Sequence, residues 1–150
     1  MSLRPLAAAL LFVTCACGGG LPDAVDVSAS DACRHCRMAV SDVHFAAQVV
    51  ARGEEPLFFD DIGCLANWLK DARPPEGAVV FVADHRTGRW VVTERAVFTR
   101  APRLATPMGS GIIAHADGTS RDQDTAARGG TPQALEQVFG ARLPISPDAH

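Results

Sequence analysis

The chain has 150 residues, of which 47% are hydrophobic and 21% are charged, so its composition suits one packed domain and excludes disorder of the whole chain. The formal net charge is -3, and the sequence has no Tyr and only 6% aromatic residues. Neither the charge nor the aromatic content suits nucleic-acid binding, so we expect no nucleic-acid partner.

Residues 1–16 are typical of a bacterial signal peptide. Arg4 precedes an apolar run over residues 6–16, which is shorter than the roughly 20 residues that a membrane-spanning helix needs. A small residue precedes Cys17 and three glycines follow it, an arrangement that resembles a lipobox. We expect a lipid anchor on Cys17. The alternatives are lipidation of Cys15 instead, and an ordinary cleaved signal peptide. No Asp follows Cys17, which favours the periplasmic face of the outer membrane.

Composition divides the remaining chain into three segments. Residues 17–30 are small and polar and predict a lipid-anchored linker, residues 31–141 predict the folded domain, and residues 142–150 predict a flexible tail. Within the domain, short apolar runs are separated by turn residues, and the first two runs form a predicted hairpin. The predicted strands are 45–51, 57–59, 78–82, 89–93, 97–99 and 112–115.

Two segments are predicted to be helical. Residues 62–70 place apolar side chains at helical spacing, and Asp60 and Asp61 stand where acidic side chains cap free amides. Residues 131–139 begin with Thr-Pro, a pair that is favoured at the N-cap and first position of a helix. The polar, glycine-containing stretch 117–130 predicts a mobile loop. We therefore expect an α+β domain with small antiparallel sheets and two helices.

The densest group of metal-binding side chains is Cys33, His35, Cys36 and Met38. On an extended segment, residues two apart point to the same face, so the sulfur atoms of Cys36 and Met38 can converge on one ion. Thiolate and thioether are soft ligands that favour Cu(I), whereas methionine is not a usual zinc ligand. The alternatives are a disulfide or redox pair of Cys33 and Cys36, and a core position for Met38. His35 is either an accessory ligand or a solvent-exposed residue.

The number of cysteines indicates a thiol that is free or metal-bound. Once Cys15 is removed and Cys17 is acylated, the chain keeps Cys33, Cys36 and Cys64. An odd number of cysteines in an oxidising compartment excludes a framework in which all of them form disulfides. At least one thiol must therefore be free or bound to a metal.

Two features further along the chain add candidate ligands. Met108 stands among proline, glycine and small residues in 106–111, where it is either an exposed ligand or an ordinary apolar residue. Asp60, Asp61 and Cys64 are either structural, as a helix cap and a buried thiol, or accessory metal ligands. Because the sequence has no phosphate loop, nucleophile elbow or zinc-protease motif, we expect that the protein is not an enzyme.

Taken in order, these motifs resemble the NosL family of periplasmic copper-binding lipoproteins. The family usually has Gly between the cysteine and the methionine, and here that position is Arg37. The resemblance spans residues 33–115. It rests on Cys33-x-x-Cys36-x-Met38, Phe45-x-x-Gln48, Phe59-Asp60-Asp61-Ile62-Gly63-Cys64 through Trp68, Val82-x-Asp84, Trp90, and Pro107-Met108-Gly109-x-Gly111.

The resemblance implies that Cys36, Met38 and Met108 hold Cu(I). It also implies paired ββα subdomains similar to the organomercurial lyase MerB. As a function, it implies a copper chaperone that delivers copper to a periplasmic cuproenzyme such as nitrous-oxide reductase and is supplied by a copper-exporting transporter. The alternatives are a thiol–disulfide oxidoreductase using Cys33 and Cys36, and an organomercury-cleaving protein, which only the fold analogy suggests.

Overall fold

Two antiparallel sheets form the framework of residues 20–143, the part of the chain that the computed structural model describes. The larger sheet contains β1 (Ala47–Val50), β2 (Leu57–Phe59), β3 (Val79–Ala83) and β4 (Trp90–Val92). Its spatial order is β2-β1-β3-β4. The hairpin of β1 and β2 therefore lies beside β3 and β4, the two strands that follow the first α-helix in the chain.

The smaller sheet contains β5 (Val97–Arg100), β6 (Ile112–His115) and β7 (Thr131–Gln133), in the order β6-β5-β7. The two sheets meet where the end of β3 lies beside β6, and the backbone N–H of His85 donates to the carbonyl of Ala114 at 2.8 Å. The ends of strands from both sheets are therefore neighbours.

Residues 20–143 also form three α-helices: α1 (Ile62–Asp71), α2 (Gly118–Gln123) and α3 (Leu135–Phe139). The apolar side of α1 is buried because its hydrophobic residues recur at helical spacing. The main hydrophobic core takes side chains from both sheets, from α1 and from α3. The α+β prediction with small antiparallel sheets is thereby confirmed.

The second face of the larger sheet is covered by residues 24–27, which belong to the predicted linker. Gln48 of β1 is fully buried, and its side-chain amide accepts from the N–H of Val25 at 2.8 Å and donates to the carbonyl of Val25 at 2.9 Å. Ala24 packs against an apolar cluster on the same face, which includes Phe81. This cover explains why β3 is buried along its whole length.

The prediction of a helix over residues 131–139 is wrong in its first half. Residues 131–133 form the edge strand β7, in which Pro132 lies opposite Thr99. An edge strand tolerates proline because one side of its backbone is not needed for the sheet. The helix α3 starts only at Leu135. At its N-terminus, the backbone N–H of Ala134 donates to the side-chain oxygen of Gln137 at 2.7 Å.

The prediction of a mobile loop over residues 117–130 is also wrong. Asp117 caps α2 by accepting from the backbone N–H of Ser120 at 2.7 Å, and Asp124 accepts from the N–H of Ala126 at 2.8 Å. The side chains of Ser120 and Asp124 are buried against the ends of β3 and β6. Polar residues that satisfy buried partners look the same in sequence as polar residues of an exposed loop.

Some predictions concern residues outside the described part of the chain. The signal peptide 1–16 and the lipidation sites Cys15 and Cys17 precede it, and most of the predicted tail follows it. Within residues 20–143, no helix has the length and apolar composition that would be needed to cross a membrane.

Asp84 links the two sheets at the end of β3. Its buried carboxylate accepts from the N–H of Ala116 at 2.8 Å, the hydroxyl of Ser120 at 2.7 Å and the hydroxyl of Thr87 at 3.0 Å. Burial by itself would raise the pKa of this carboxyl group, but the hydrogen bonds outweigh burial and lower the pKa to about 2. The folded state therefore stabilises the charged form.

We expect Asp84→Asn to lower the free energy of unfolding at pH 7 by about 2 kcal/mol, because the amide turns N–H groups towards other donors. Because the pKa of Asp84 is lower in the folded state, its charge stabilises the fold at any pH above the pKa of the unfolded chain. This stabilisation is lost as the pH falls from about 4 to about 2. In urea unfolding, the difference in the free energy of unfolding between the native chain and the variant should therefore be smaller at pH 3 than at pH 7. Asp71→Asn, at an exposed position, is the control. Equal stability of Asp84→Asn and the native chain at pH 7 would contradict the assignment.

Candidate metal centre

A tight hairpin over residues 32–39 carries the first cysteine pair. Ala32 and Ala39 form an antiparallel bridge, and the backbone N–H of Cys33 donates to the carbonyl of Met38 at 2.7 Å. The chain reverses at Arg37, whose N–H donates to the carbonyl of Cys33 at 3.0 Å. The hairpin therefore brings Cys33 opposite Met38 and leaves Cys36 in the turn between them.

Arg37 occupies a backbone conformation that favours glycine. Its φ angle is +68°, and it is the single non-glycine residue with positive φ among residues 20–143. A side chain in this left-handed region costs about 1–2 kcal/mol relative to the right-handed one. This strain gives a physical reason why glycine would suit this position better than arginine.

Replacing Arg37 by glycine is expected to raise the free energy of unfolding by about 0.5–1 kcal/mol, since the strain is removed at some cost in chain entropy. Arg34→Gly, in the same hairpin but outside the left-handed region, should lower stability instead. Denaturant midpoints of the two variants provide the comparison. A loss of stability in both variants would show that Arg37 is not strained.

Three thiols and one carboxylate converge beside this hairpin. Cys33 and Cys36 come from the hairpin, Asp60 follows β2, and Cys64 lies in the first turn of α1. Their ligand atoms all lie within 4.8 Å of one another. The thiol of Cys36 donates to the carboxylate of Asp60, with Sγ 3.4 Å from Oδ1 and 3.5 Å from Oδ2. All three thiols are free, so this group, the thiol cluster, could hold a metal ion.

Burial distinguishes the members of the thiol cluster. Cys33 and Cys64 are only 1% and 2% exposed, whereas Cys36 is half-buried. Burial, followed by the hydrogen bond to Asp60, raises the pKa of both buried thiols. The N–H of Cys36, 3.5 Å from Sγ of Cys33, opposes this rise in the pKa of Cys33. The cluster therefore has two protected thiols and one that solvent can reach.

The loop that carries Met108 is fixed to the start of α1 by Asp61. The buried carboxylate of Asp61 caps the helix by accepting from the N–H of Gly63 at 2.6 Å. It also accepts from the hydroxyl of Thr106 at 2.6 Å and from the N–H of Met108 at 2.9 Å. Since Asp61 directly follows Asp60 of the thiol cluster, this cap fixes the backbone of Met108 to a residue adjacent to the cluster in the chain.

Gly63 permits the close approach of this loop. A Cβ atom at Gly63 would lie 2.5 Å from Cβ of Ser110, well inside van der Waals contact. We expect Gly63→Ala to push residues 106–111 away from α1 and to lower the free energy of unfolding by about 1–3 kcal/mol. Gly118→Ala, where a Cβ would meet nothing within 4 Å, is the matched control and should be neutral or stabilising. Thermal or urea unfolding tests both, and equal stabilities would contradict the predicted clash.

The predicted sulfur ligands outside the thiol cluster are exposed. Met38 is 60% exposed and Met108 is 48% exposed, so neither is a core residue. His35 is exposed in the hairpin. The accessory residues Cys33, Asp60 and Cys64 lie in the cluster, and Asp61 acts as the cap. The assignment of Cys36, Met38 and Met108 as the ligand set stays a prediction.

The fold and this site define an α+β protein with a sulfur-rich centre that can hold a metal ion. A family model for NosL matches residues 24–141, which is most of the chain. The chain therefore belongs to the NosL family. No curated protein and no solved structure matches the chain.

Proposed function

We propose that this protein carries Cu(I) on sulfur ligands and hands it to a periplasmic cuproenzyme. The observation that carries the proposal is the convergence of the free thiols of Cys33, Cys36 and Cys64 within 4.8 Å. Soft thiolate ligands select Cu(I), zinc and iron–sulfur clusters over Mg²⁺, Ca²⁺ or Mn²⁺. Membership in the NosL family and the two nearby thioethers favour copper among these.

Exposure of the proposed ligands suits transfer. Cys36 is the accessible thiol of the cluster, and the thioethers of Met38 and Met108 are open to solvent on the two neighbouring loops. We infer that these three sulfurs hold the cargo ion, while Cys33 and Cys64 support the site from inside. An ion bound on exposed side chains can exchange with a partner without unfolding of the core.

The position of the cysteine pair argues against the thiol–disulfide oxidoreductase alternative, because Cys33 is buried and neither Cys33 nor Cys36 lies at the start of a helix. A reactive thiol of that class has a lowered pKa, often at the start of a helix. Here burial raises the pKa of Cys33, and the pair lies in a hairpin turn. The convergence of a third thiol, Cys64, which a two-cysteine redox pair does not need, supports metal binding over disulfide exchange.

The client and the location extend the proposal through the family resemblance. We propose a lipid anchor on Cys17 at the periplasmic face of the outer membrane, nitrous-oxide reductase as the acceptor of copper and a copper-exporting transporter as its source. The proposal assigns no catalytic step to the chain, because its cargo leaves unchanged.

Transfer to the apo-enzyme tests the proposal. The Cu(I)-loaded chain, mixed anaerobically with copper-free nitrous-oxide reductase, should restore activity and lose its own copper. The matched control supplies the same amount of Cu(I) on a small-molecule chelator of similar affinity. Faster recovery of reductase activity with the Cu(I)-loaded chain than with the chelator would support delivery. Equal rates from both sources, or retention of copper by the chain, would refute the carrier role.

A further inference from the structure

A second group of metal-binding side chains lies at the other end of β6 from the Met108 loop. His115 ends β6, His85 follows β3, and Asp124 follows α2. The ligand atoms of these three residues lie within 4.8 Å of one another. No spacing in the sequence connects them, because they come from three separate elements. We call this group the histidine cluster.

The carboxylate of Asp124 is the centre of this cluster. Its Oδ2 atom lies 2.6 Å from Nδ1 of His85 and 2.9 Å from Nε2 of His115. Burial alone would raise the pKa of Asp124, but the hydrogen bonds with His115 and His85 outweigh it and lower the pKa. A metal ion bound here would displace the two protons that the imidazoles donate to this carboxylate, release them to solvent, and take one oxygen and two nitrogen ligands.

One ring nitrogen in the cluster is buried without a partner. His115 is 0% exposed, and its Nδ1 atom has no hydrogen-bond partner among residues 20–143. A buried polar atom that stays unpaired costs about 1–3 kcal/mol. Because Nε2 of the same ring faces Asp124, Nδ1 lies on the far side of the imidazole, and an ion held between the three residues would be bound by Nε2.

Access to the cluster is provided from the side of Asp124. A surface cavity of about 300 Å³ is bordered by Asp124, Asp122 and Arg121, and the guanidinium of Arg121 is paired with Asp122 at 2.7 Å. The side chain of His85 is 14% exposed. This cavity, which Arg128 also lines, borders Asp124 but neither histidine, so it leads from the surface to the carboxylate of the cluster.

We propose that His85, His115 and Asp124 form a second metal site, which binds a divalent transition-metal ion such as Zn²⁺. Two imidazoles and one carboxylate are the borderline nitrogen and oxygen ligands that Zn²⁺ takes, and three protein ligands leave a position for water. The site contains no sulfur, so its metal preference differs from that of the thiol cluster. The chain thus has one soft site and one borderline site, held by different elements.

Zinc titration of the full chain tests this site. In a Cys36→Ser/Cys64→Ser background, which weakens the thiol cluster, calorimetry should detect one Zn²⁺ per chain. We expect His85→Gln and Asp124→Asn to weaken binding at least about tenfold, the lower limit for changes around a metal site. Asp71→Asn, an exposed carboxylate on α1, should leave the affinity unchanged.

If the double variant does not fold, zinc X-ray absorption spectroscopy on the native chain still tests the proposal. The spectrum should contain nitrogen or oxygen ligands at about 2.0–2.1 Å beside any sulfur at about 2.3 Å, and His85→Gln should remove the shorter distances. Zinc bound by sulfur alone, or equal affinities of the native and His85→Gln chains, would overturn the proposal.

Discussion

Cys36→Ser is expected to abolish tight Cu(I) binding while the fold is retained. Serine has nearly the same shape as cysteine, and its hydroxyl can take over the hydrogen bond to Asp60. A hydroxyl is a hard ligand and binds Cu(I) poorly. Loss of a partner that only supports a metal site weakens binding by about 10–100-fold, so loss of a direct ligand should weaken it more.

Competition with a Cu(I) chelator under anaerobic conditions measures this loss. Arg34→Gln is the matched control, because Arg34 is exposed in the same hairpin and its backbone N–H still donates to the carbonyl of Phe58. Far-ultraviolet circular dichroism should be the same for the variant and the native chain. If a well-folded Cys36→Ser chain binds Cu(I) as tightly as the native chain, Cys36 is not a ligand.

Asp61→Asn should cause the largest loss of stability among these substitutions, about 3–4 kcal/mol. The carboxylate accepts from Gly63, Thr106 and Met108 in a site that is 0% exposed. Hydrogen bonds to a charged group contribute about 1.5–3 kcal/mol each to stability, and an amide at this position must turn its NH₂ group towards at least one donor. The cap of α1 and the position of the Met108 loop would fail together.

Urea unfolding of Asp61→Asn beside Asp117→Asn measures this effect. Asp117 caps α2 through one backbone N–H, and asparagine is about as good an N-cap as aspartate, so Asp117→Asn should cost little stability. The Asp61 variant should also bind Cu(I) more weakly, because Met108 is no longer held near the thiol cluster. A cost equal to that of Asp117→Asn would mean that the contacts with Thr106 and Met108 contribute little.

The local parts of the fold could be predicted from the sequence. The hairpin with strand 57–59 and the helix near 62–70 follow from hydrophobic periodicity and an acidic cap, which act over a few residues. The segment 131–139 shows the limit of such patterns. Its Thr-Pro start is favoured at the N-terminus of a helix, but residues 131–133 pair with β5 and form a strand instead. Tertiary contacts outweigh local preference there.

The candidate site divides in the same way. The spacing of Cys36 and Met38 is local, so the sequence could indicate two sulfur atoms near one point. That Cys64 and Asp60 lie beside Cys33 and Cys36 depends on how α1 packs against the hairpin, and no spacing encodes this. The strain at Arg37 is visible only in its φ angle. The histidine cluster could not be predicted, since its members are far apart in sequence and lie in segments without a known motif.

Copper X-ray absorption of the Cu(I)-loaded native chain decides whether this protein binds copper on sulfur. We expect one Cu(I) per chain, surrounded by sulfur atoms, with fewer sulfurs around any copper that remains bound to Cys36→Ser or Met38→Ala. Copper bound only by nitrogen or oxygen, or the same sulfur environment in the native chain and both variants, would contradict it.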